Sequence, residues 1–315
     1  MTEEARYRTP QAFNSAITAR LRTLSERTGQ PLQDLQRQFA YDRFLSRVFT
    51  AQPERWVLKG GTAMIARLGA YARHSDDIDL LSQTPGTSEA DALDEAEQAL
   101  RVAAATDLGD QFRFTLEPGR PVADGGAALR VMVTTFLGVT EFARFHVDLV
   151  VGLHMTGVPD TLGALVPIDF PGLISATYRV YPIADHVADK VCAFFEVHPR
   201  RDGDPVPSTR FRDLVDLVVF AHTAGGLDAD ELRHALQSER VRRNLILPTA
   251  FPAPAAPGWR QGYQSSARDA RDVVETDLDR GLETVRRFID PMLNGTASGV
   301  WDPGATEWRD RNGAG

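Results

Sequence analysis

Residues 56–64 read WVLKGGTAM, and residues 73–81 read RHSDDIDLL. In the first segment a short apolar strand leads into Gly60 and Gly61, and Thr62 is predicted to cap the amphipathic helix that follows. The second segment is predicted to contain another strand, because acidic and apolar residues alternate along it. A strand, a glycine turn, a helix and a further strand in succession indicate an α/β core.

The glycine pair is typical of a turn that approaches a phosphate. Glycine has no side chain to keep a ligand away from the backbone, and the start of the next helix presents free N–H groups and a partial positive charge. On its own, a Gly-Gly pair most often marks only a turn. Its meaning therefore depends on the acids that follow.

Those acids are Asp77 and Asp79, two residues apart in the second strand. Because side chains alternate along a strand, both carboxylates point to the same face, where they are able to share a hard cation such as Mg²⁺. An acidic tetrapeptide is more often a solvated loop or a cap, but Ile78 and Leu80 fit the alternation of a strand. The segment predicts a metal beside a phosphate turn.

Asp148 is the natural third acid, because it lies in the apolar run 145–151. A lone charge is costly there unless a metal or an arginine accompanies it. Alternation places Asp148 on one face with His146 and Val150. The alternative is that Asp148 lies on the exposed side of an edge strand.

Apolar periodicity divides the chain into four regions. They are a helical N-terminal region (residues 1–52), an α/β core with a mixed sheet (53–183), a helical C-terminal domain (184–294) and a loosely held, flexible tail (295–315). Further strands are predicted at residues 112–116, 129–137 and 142–151. Helices are predicted as a pair within 10–50 and at 87–106, 184–196, 210–222, 229–243 and 273–292. The proline-rich residues 248–257 are predicted to be a connector.

Composition excludes several classes of protein. The 315 residues include 35 basic and 43 acidic side chains, a net charge of −8, so no global basic field exists to hold nucleic acid or an anionic membrane. No apolar run approaches the roughly 18 residues of a membrane span, and the N-terminus does not resemble a signal peptide, which predicts a cytoplasmic protein. The single Cys192 excludes an internal disulfide and a cysteine-based zinc cluster.

A second block of interest contains one of only two lysines in the chain, Lys59 and Lys190. Residues 188–193 read ADKVCA. Residues 212–217 read RDLVDL, and Asp213 in this run follows Lys190 by 23 residues. Taken alone, these residues also fit a lysine on a solvated helix face and an Arg210/Asp213 pair at i,i+3.

The two blocks resemble the nucleotidyltransferase motifs of the AbiEii and AbiGii abortive-infection toxins, a group with MenT-like members within the DNA polymerase beta-like superfamily. The resemblance covers about residues 56–220, and the long gap between glycines and acids is similar to the AbiEii branch in particular. It implies that Asp77, Asp79, Lys190 and Asp213 are catalytic and that Asp77, Asp79 and Asp148 bind Mg²⁺ or Mn²⁺. The implied nucleotide-binding residues are Lys59, Gly60, Gly61, Thr62, Ser75 and Lys190.

The implied function is a Mg²⁺-dependent toxin of a toxin–antitoxin or phage-defence pair. It would transfer a nucleoside monophosphate from an NTP to an acceptor, which the similarity to MenT-type toxins suggests is the 3′ end of tRNA, and so block translation. The antitoxin would be a separate chain. The alternatives are transfer to a small molecule such as an aminoglycoside, transfer to a protein side chain, and a non-catalytic nucleotide-binding module. Clustered, mutually repelling carboxylates argue against the last of these.

Other candidates carry weaker signals. The seven histidines lack the i,i+4 spacing of a zinc site, so His74 and His146 are predicted to be packing or solvent residues. Cys192 is predicted to be a small core residue. The arginines of residues 231–243 are predicted to form a solvated helix face, with an RNA contact as the alternative. Residues 1–50, with eight arginines and five acids, are a second basic surface.

Overall fold

The computed structural model describes residues 9–83, 88–122, 127–196, 198–199, 205–206, 210–254, 257–270 and 275–310. The chain divides into two compact units. Unit 1 comprises residues 1–70, 74–153 and 159–180, and unit 2 comprises residues 71–73, 154–158 and 181–315.

Unit 1 contains four helices and one sheet among its described residues. The helices are α1 (Pro10–Thr28), α2 (Leu32–Ala51), α3 (Gly60–Leu68) and α4 (Glu89–Ala104). The strands are β1 (Trp56–Lys59), β2 (Asp77–Ser82), β3 (Phe112–Leu116), β4 (Arg120–Pro121), β5 (Ala128–Leu137), β6 (Thr140–Val150), β7 (Asp160–Leu162) and β8 (Tyr178–Val180). A 3₁₀ turn, Gly69–Tyr71, follows α3.

The strand order is β3-β5-β6-β2-β1-β8-β7, and β4 pairs with the first residues of β5. The β2–β6 and β1–β8 pairs are parallel and the other pairs are antiparallel. The predicted mixed sheet of an α/β (α+β) fold is therefore confirmed.

The sheet has one apolar face and one polar face. Ile78, Val131 and Val147 are fully buried on the face that α2 and α4 cover. Alternation turns the neighbouring residues of β2, β5 and β6 to the opposite face, which is only partly buried. The candidate acids lie on that polar face.

The two N-terminal helices belong to unit 1 with the sheet. Thr9 caps α1 by accepting a hydrogen bond from the backbone of Ala12, and Gly29 ends the helix in the left-handed conformation. Helix α2 is buried over most of its circumference. Its buried residues include Arg43 and Arg47, which both donate to the buried carboxylate of Asp110. These pairings explain how α2 accommodates charged side chains at buried positions.

Unit 2 contains five helices among its described residues: α5 (Ile183–Phe195), α6 (Phe211–Thr223), α7 (Ala229–Arg242), α8 (Trp259–Asp269) and α9 (Leu278–Leu293). Short strand pairs are β9 (His198–Pro199) with β10 (Pro205–Val206), and β11 (Val300–Asp302) with β12 (Glu307–Arg309). Helix α5 packs on α6 and α7, and α6 packs on α8 and α9.

The structure differs from the sequence analysis at two places in this part of the chain. Helix α8 was not predicted, because its apolar face rests mainly on Trp259 and Tyr263, one turn apart in a polar segment. The predicted loose tail contains the β11–β12 hairpin, in which the Trp301 indole is buried and donates to the backbone carbonyl of Ala221 at 2.7 Å. A large aromatic group outweighs the polar composition around it, so this stretch is held in place.

Among the helices of the described ranges, none has the length and apolar character needed to cross a membrane.

Candidate active site

The junction of β1 and α3 forms the glycine turn. Strand β1 ends at Lys59, which is buried, and α3 begins at Gly60. The prediction that Thr62 caps the helix was wrong, because Lys59 occupies the cap position in extended conformation and makes no side-chain cap bond. Thr62 is fully buried in the first turn of α3, and its hydroxyl donates to the carbonyl oxygen of Asp77 at 2.6 Å. Thr62 thus joins the start of α3 to the start of β2.

Gly60 is the closest approach between the helix and the acids. Its φ is +59°, in the left-handed region, and a Cβ at this position would lie 1.8 Å from Oδ2 of Asp79. Only glycine fits here. The Asp79 carboxylate consequently lies against the start of α3, which is the positive end of the helix dipole.

Asp77 and Asp79 share the polar face of the sheet, as the alternation predicted. In the parallel pair β2–β6, Asp77 is opposite His146 and Asp79 is opposite Asp148. The hydroxyl of Ser75 donates to Oδ1 of Asp77 at 3.2 Å, and Ser75 itself is buried. Ser75 therefore orients the first of the two acids.

Asp148 has an arginine partner. Arg130 of β5 donates through Nε and Nη2 to the two carboxylate oxygens, at 2.7 and 2.6 Å. This hydrogen-bonded pair raises the pKa of Arg130, and the charges of Asp77 and Asp79 raise it further. The three carboxylates and one guanidinium thus lie within electrostatic reach of one another on one face of the sheet.

The donor set of this face suits a hard cation. Asp77 and Asp79 supply carboxylate oxygens beside a helix start, and the cradle at Gly60 keeps the Asp79 carboxylate in place. Within the described ranges, no group of three or more His, Cys, Asp or Glu side chains is arranged to hold a metal by itself. A two-carboxylate site of this kind resembles Mg²⁺ sites in which phosphate oxygens and water complete the coordination.

Unit 2 contains the second group of predicted residues. The ammonium of Lys190, on α5, lies 2.6 Å from Oδ1 of Asp213 and 2.8 Å from Oδ2 of Asp216, both on α6. Arg73 donates to both oxygens of Asp216, at 2.8 and 2.9 Å. Arg210 lies 3.7 Å from Asp213. Because Lys190 is buried, the alternative of a lysine on a solvated helix face is wrong.

Burial and charge oppose each other in this cluster. Burial alone would lower the pKa of Lys190, but Asp213 and Asp216 outweigh it and raise that pKa above its ordinary value. Burial alone would raise the pKa of Asp216, but Arg73 and Lys190 hold it well below its ordinary value. Lys190 therefore remains protonated and acts as a fixed positive charge rather than as a base.

Arg73 and Asp216 were missed as site residues, although both lie inside the quoted motifs. The signal for Asp216 was available, since it is a lone acid within the apolar run Leu214–Val219 on a helix. A charge in such a run requires a partner. Nothing in the sequence identified Arg73 as that partner.

The arginines of α7 are largely occupied. Glu239 accepts from Arg242 and from Arg243, and Arg243 also donates to Asp189 at 2.6 Å and to Glu196. Arg233 pairs with Asp230. Carboxylates thus neutralise these three arginines, whereas Arg240 bonds the uncharged side chain of Gln237.

Two weaker candidates also have assigned places. Cys192 is fully buried, and burial raises the pKa of its thiol to about 12, which confirms it as a core residue. His74 contacts Arg37 and lies 3.2 Å from Asp76, in a partly exposed ion-pair group.

Comparison with known proteins gives a family match over most of the chain. The model of the AbiEii family, described as a nucleotidyl transferase toxin of a type IV toxin–antitoxin system, matches residues 43–291. Similar solved structures include MenT4, a nucleotidyltransferase toxin from Mycobacterium tuberculosis, with 18% identity, a TM-score of 0.49 and coverage of 88% of this chain and 99% of that one. JHP933 from Helicobacter pylori has 16% identity, a TM-score of 0.43 and coverage of 84% and 94% respectively. No curated protein matches.

Proposed function

Because the chain belongs to the AbiEii family of nucleotidyltransferase toxins, we propose that it moves a nucleoside monophosphate from an NTP to the 3′ end of tRNA. The reaction requires Mg²⁺ or Mn²⁺, releases pyrophosphate and blocks translation. It takes place in the cytoplasm, and a separately encoded antitoxin of the same toxin–antitoxin or phage-defence pair restrains it.

The observation that carries this proposal is the contact between Gly60 and Asp79. A triphosphate needs N–H donors and cations at the same place. The start of α3 supplies the donors, and the Asp79 carboxylate lies against it with Asp77 on the same strand face. A turn with no ligand has no need of a carboxylate packed against its glycine.

Each residue of unit 1 then has a role. Asp77 and Asp79 hold the metal, and Asp148, opposite Asp79, is the third member of the acidic group. When bound, Mg²⁺ neutralises charge on the triphosphate and lowers the pKa of the acceptor hydroxyl. The backbone of Gly60, Gly61 and Thr62 donates to phosphate oxygens, with Lys59 at the cap position and Ser75 behind Asp77.

In unit 2, Lys190 is the predicted phosphate-binding lysine: its positive charge is permanent, and its ammonium lies 2.6 Å from Asp213, which orients it. A protonated lysine stabilises the charge that develops on the leaving pyrophosphate. Asp216 also binds the Lys190 ammonium, and Arg73 binds the Asp216 carboxylate. Both residues therefore act as positioning residues.

The test is transfer of label from each NTP in turn to total tRNA in the presence of Mg²⁺. Asp77→Asn and Asp79→Asn are expected to lower the rate at least ~100-fold, since loss of metal binding removes several kcal/mol of transition-state stabilisation. Asp94→Asn, a change of the same kind at an exposed position on α4, is the matched control and is expected to retain activity.

The outcomes separate the alternatives. Label in tRNA that depends on Asp77 and Asp79 supports the proposal. Label that appears only in a small molecule or in protein would show that tRNA is not the acceptor. Label that persists in tRNA with both variants would overturn the roles of the two acids.

A further inference from the structure

A cavity of about 350 Å³ opens on the polar face of the sheet in unit 1, beyond the acids. Its walls include Arg120 of β4, Arg130 and Met132 of β5, and His146 of β6. Because Arg130 bonds Asp148, and His146 is opposite Asp77, the lining of the cavity borders the candidate metal site. Its volume falls within the ~300–1,000 Å³ range of ligand sites.

The strand order places this cavity on a particular side of the acids. From β1 the order is β2, β6, β5 and then β4, so the glycine turn lies on one side of Asp77 and Asp79 and the cavity on the other. With neighbouring strands ~4.8 Å apart, β5 lies ~10 Å from the acids. That is about the reach of one nucleotide.

In-line transfer gives the two sides different occupants. The attacking oxygen and the leaving pyrophosphate lie on opposite sides of the phosphorus. If the triphosphate occupies the start of α3, as in the function proposed above on which this inference rests, the acceptor hydroxyl approaches from the side of β6 and β5.

The chemistry of the cavity fits an anionic, partly apolar group. Arg120 and Arg130 are directly opposite each other in the β4–β5 pair, an arrangement of like charges that destabilises a sheet unless anions accompany it. Asp148 serves Arg130, whereas no carboxylate of the described segments forms an ion pair with exposed Arg120. Glu117, at the rim, is paired with Arg144.

The remaining walls are suited to a base. Met132, Pro118 and Pro121 provide apolar surface, and His146 provides a ring that can stack on a base or donate to it. A guanidinium beside an apolar wall complements a nucleotide. The guanidinium binds the phosphate, and the apolar wall contacts the base.

We propose that this cavity binds the last nucleotide of the acceptor RNA, with its 5′ phosphate on Arg120 and its base against Met132 and His146. The 3′ hydroxyl of that nucleotide then lies beside Asp77 and Asp79. The cavity thereby selects a polynucleotide end over a small-molecule acceptor.

The experiment compares Arg120→Glu with Arg268→Glu, which makes the same charge change at an exposed position on α8. Transfer is measured with tRNA and with a short single-stranded oligoribonucleotide ending in CCA. Arg120→Glu is expected to raise the KM for either RNA at least tenfold and to leave the KM for the NTP within twofold. The salt dependence of kcat/KM for the RNA is expected to lose about one unit of slope, as for one phosphate contact.

Three results would overturn the inference: an unchanged KM for RNA in Arg120→Glu, an equal loss in Arg268→Glu, or a rise confined to the NTP. Binding of the labelled oligoribonucleotide, followed by fluorescence anisotropy, provides a readout that does not need transfer. If the wild-type protein labels no RNA, the proposed function fails, whereas weaker oligoribonucleotide binding by Arg120→Glu alone still supports the cavity.

Discussion

Gly60 shows how one missing side chain determines the position of a carboxylate. Gly60→Ala is expected to lower the transfer rate at least tenfold, because the new methyl group would displace Asp79 from the start of α3. Left-handed strain adds about 1–2 kcal/mol of destabilisation. Steady-state transfer rates and thermal unfolding would be measured on the same preparation.

Gly109→Ala separates these two effects. Gly109 also has a positive φ, +70°, but a Cβ there would meet nothing within 4 Å. It should therefore lose similar stability and keep its activity. Equal activity in both variants would mean that the position of Asp79 does not matter for transfer.

The hydroxyl of Thr62 is expected to matter for stability and for rate. Thr62→Val keeps the shape of the side chain but removes the donor to Asp77, so it should cost about 1–2 kcal/mol. The rate should fall a few-fold through the altered start of β2, with the KM for the NTP unchanged. Denaturant unfolding and initial rates provide the two measurements.

Thr135→Val is the matched comparison for that change. Thr135 is fully buried on β5, and within the described ranges its hydroxyl has no hydrogen-bond partner. Removing it should leave stability unchanged or raise it. If both threonine variants lose the same stability, the bond to Asp77 contributes nothing.

Local pattern was sufficient to predict some of these side chains and not others. The common face of Asp77 and Asp79 follows from the period of a strand. The partners of Thr62, Asp148 and Asp216 do not follow from local pattern, because each partner lies on another strand, helix or segment. Sequence indicated that a buried acid needs a partner, but only the fold decides which arginine or lysine is near.

The β11–β12 hairpin is expected to be essential for unit 2. Trp301→Ala would remove a buried indole and its bond to Ala221, at a cost of about 3–5 kcal/mol. Val158→Ala, at an exposed position of the same unit, should change stability by less than ~0.5 kcal/mol. Urea unfolding measures both, and equal stability of the two variants would restore the idea of a loose tail.

The elements that sequence predicted well are those with strong periodicity. Strand β3 was predicted with its observed bounds because Phe112 and Phe114 alternate with polar residues. Helix α8 and the hairpin were missed, because each is held by one or two large aromatic residues in a polar stretch. Periodicity averages over a window and therefore underestimates a single tryptophan.

The pH dependence of stability should reflect the cluster of Lys190, Asp213, Asp216 and Arg73. The pKa of Asp216 is lowered on folding, so its contribution is complete above the unfolded value of about 3.9 and is lost as pH falls below it. The pKa of Lys190 is raised, so its contribution is complete below about 10.4 and is lost above it. Both contributions are present at neutral pH.

Asp216→Asn is therefore expected to cost about 3–5 kcal/mol at pH 7, since it leaves buried cations with fewer partners. The difference from wild type should narrow as the pH is lowered below about 4, as followed by circular dichroism. Asp76→Asn, whose pair with Arg37 is exposed, should change stability by less than ~1 kcal/mol at any pH. A pH-independent difference for Asp216→Asn would contradict the lowered pKa.

The overall charge predicts the salt dependence of the proposed RNA binding. A net charge of −8 repels a polyanion at long range, so RNA binding would depend on local arginines. The decrease in RNA affinity with added salt should then reflect only those few arginine–phosphate contacts. Composition alone excluded a broad basic surface. It did not identify the proposed acceptor side of the sheet, which we infer from the strand order.

The tryptophans are unevenly distributed, and this gives the molecule an internal optical reporter. Of the four, Trp56 is buried in β1 of unit 1, while Trp259, Trp301 and Trp308 belong to unit 2. Replacing Trp56 with phenylalanine would leave an emission spectrum that comes from unit 2 alone. The red shift of indole fluorescence would then follow the melting of unit 2 without a contribution from unit 1.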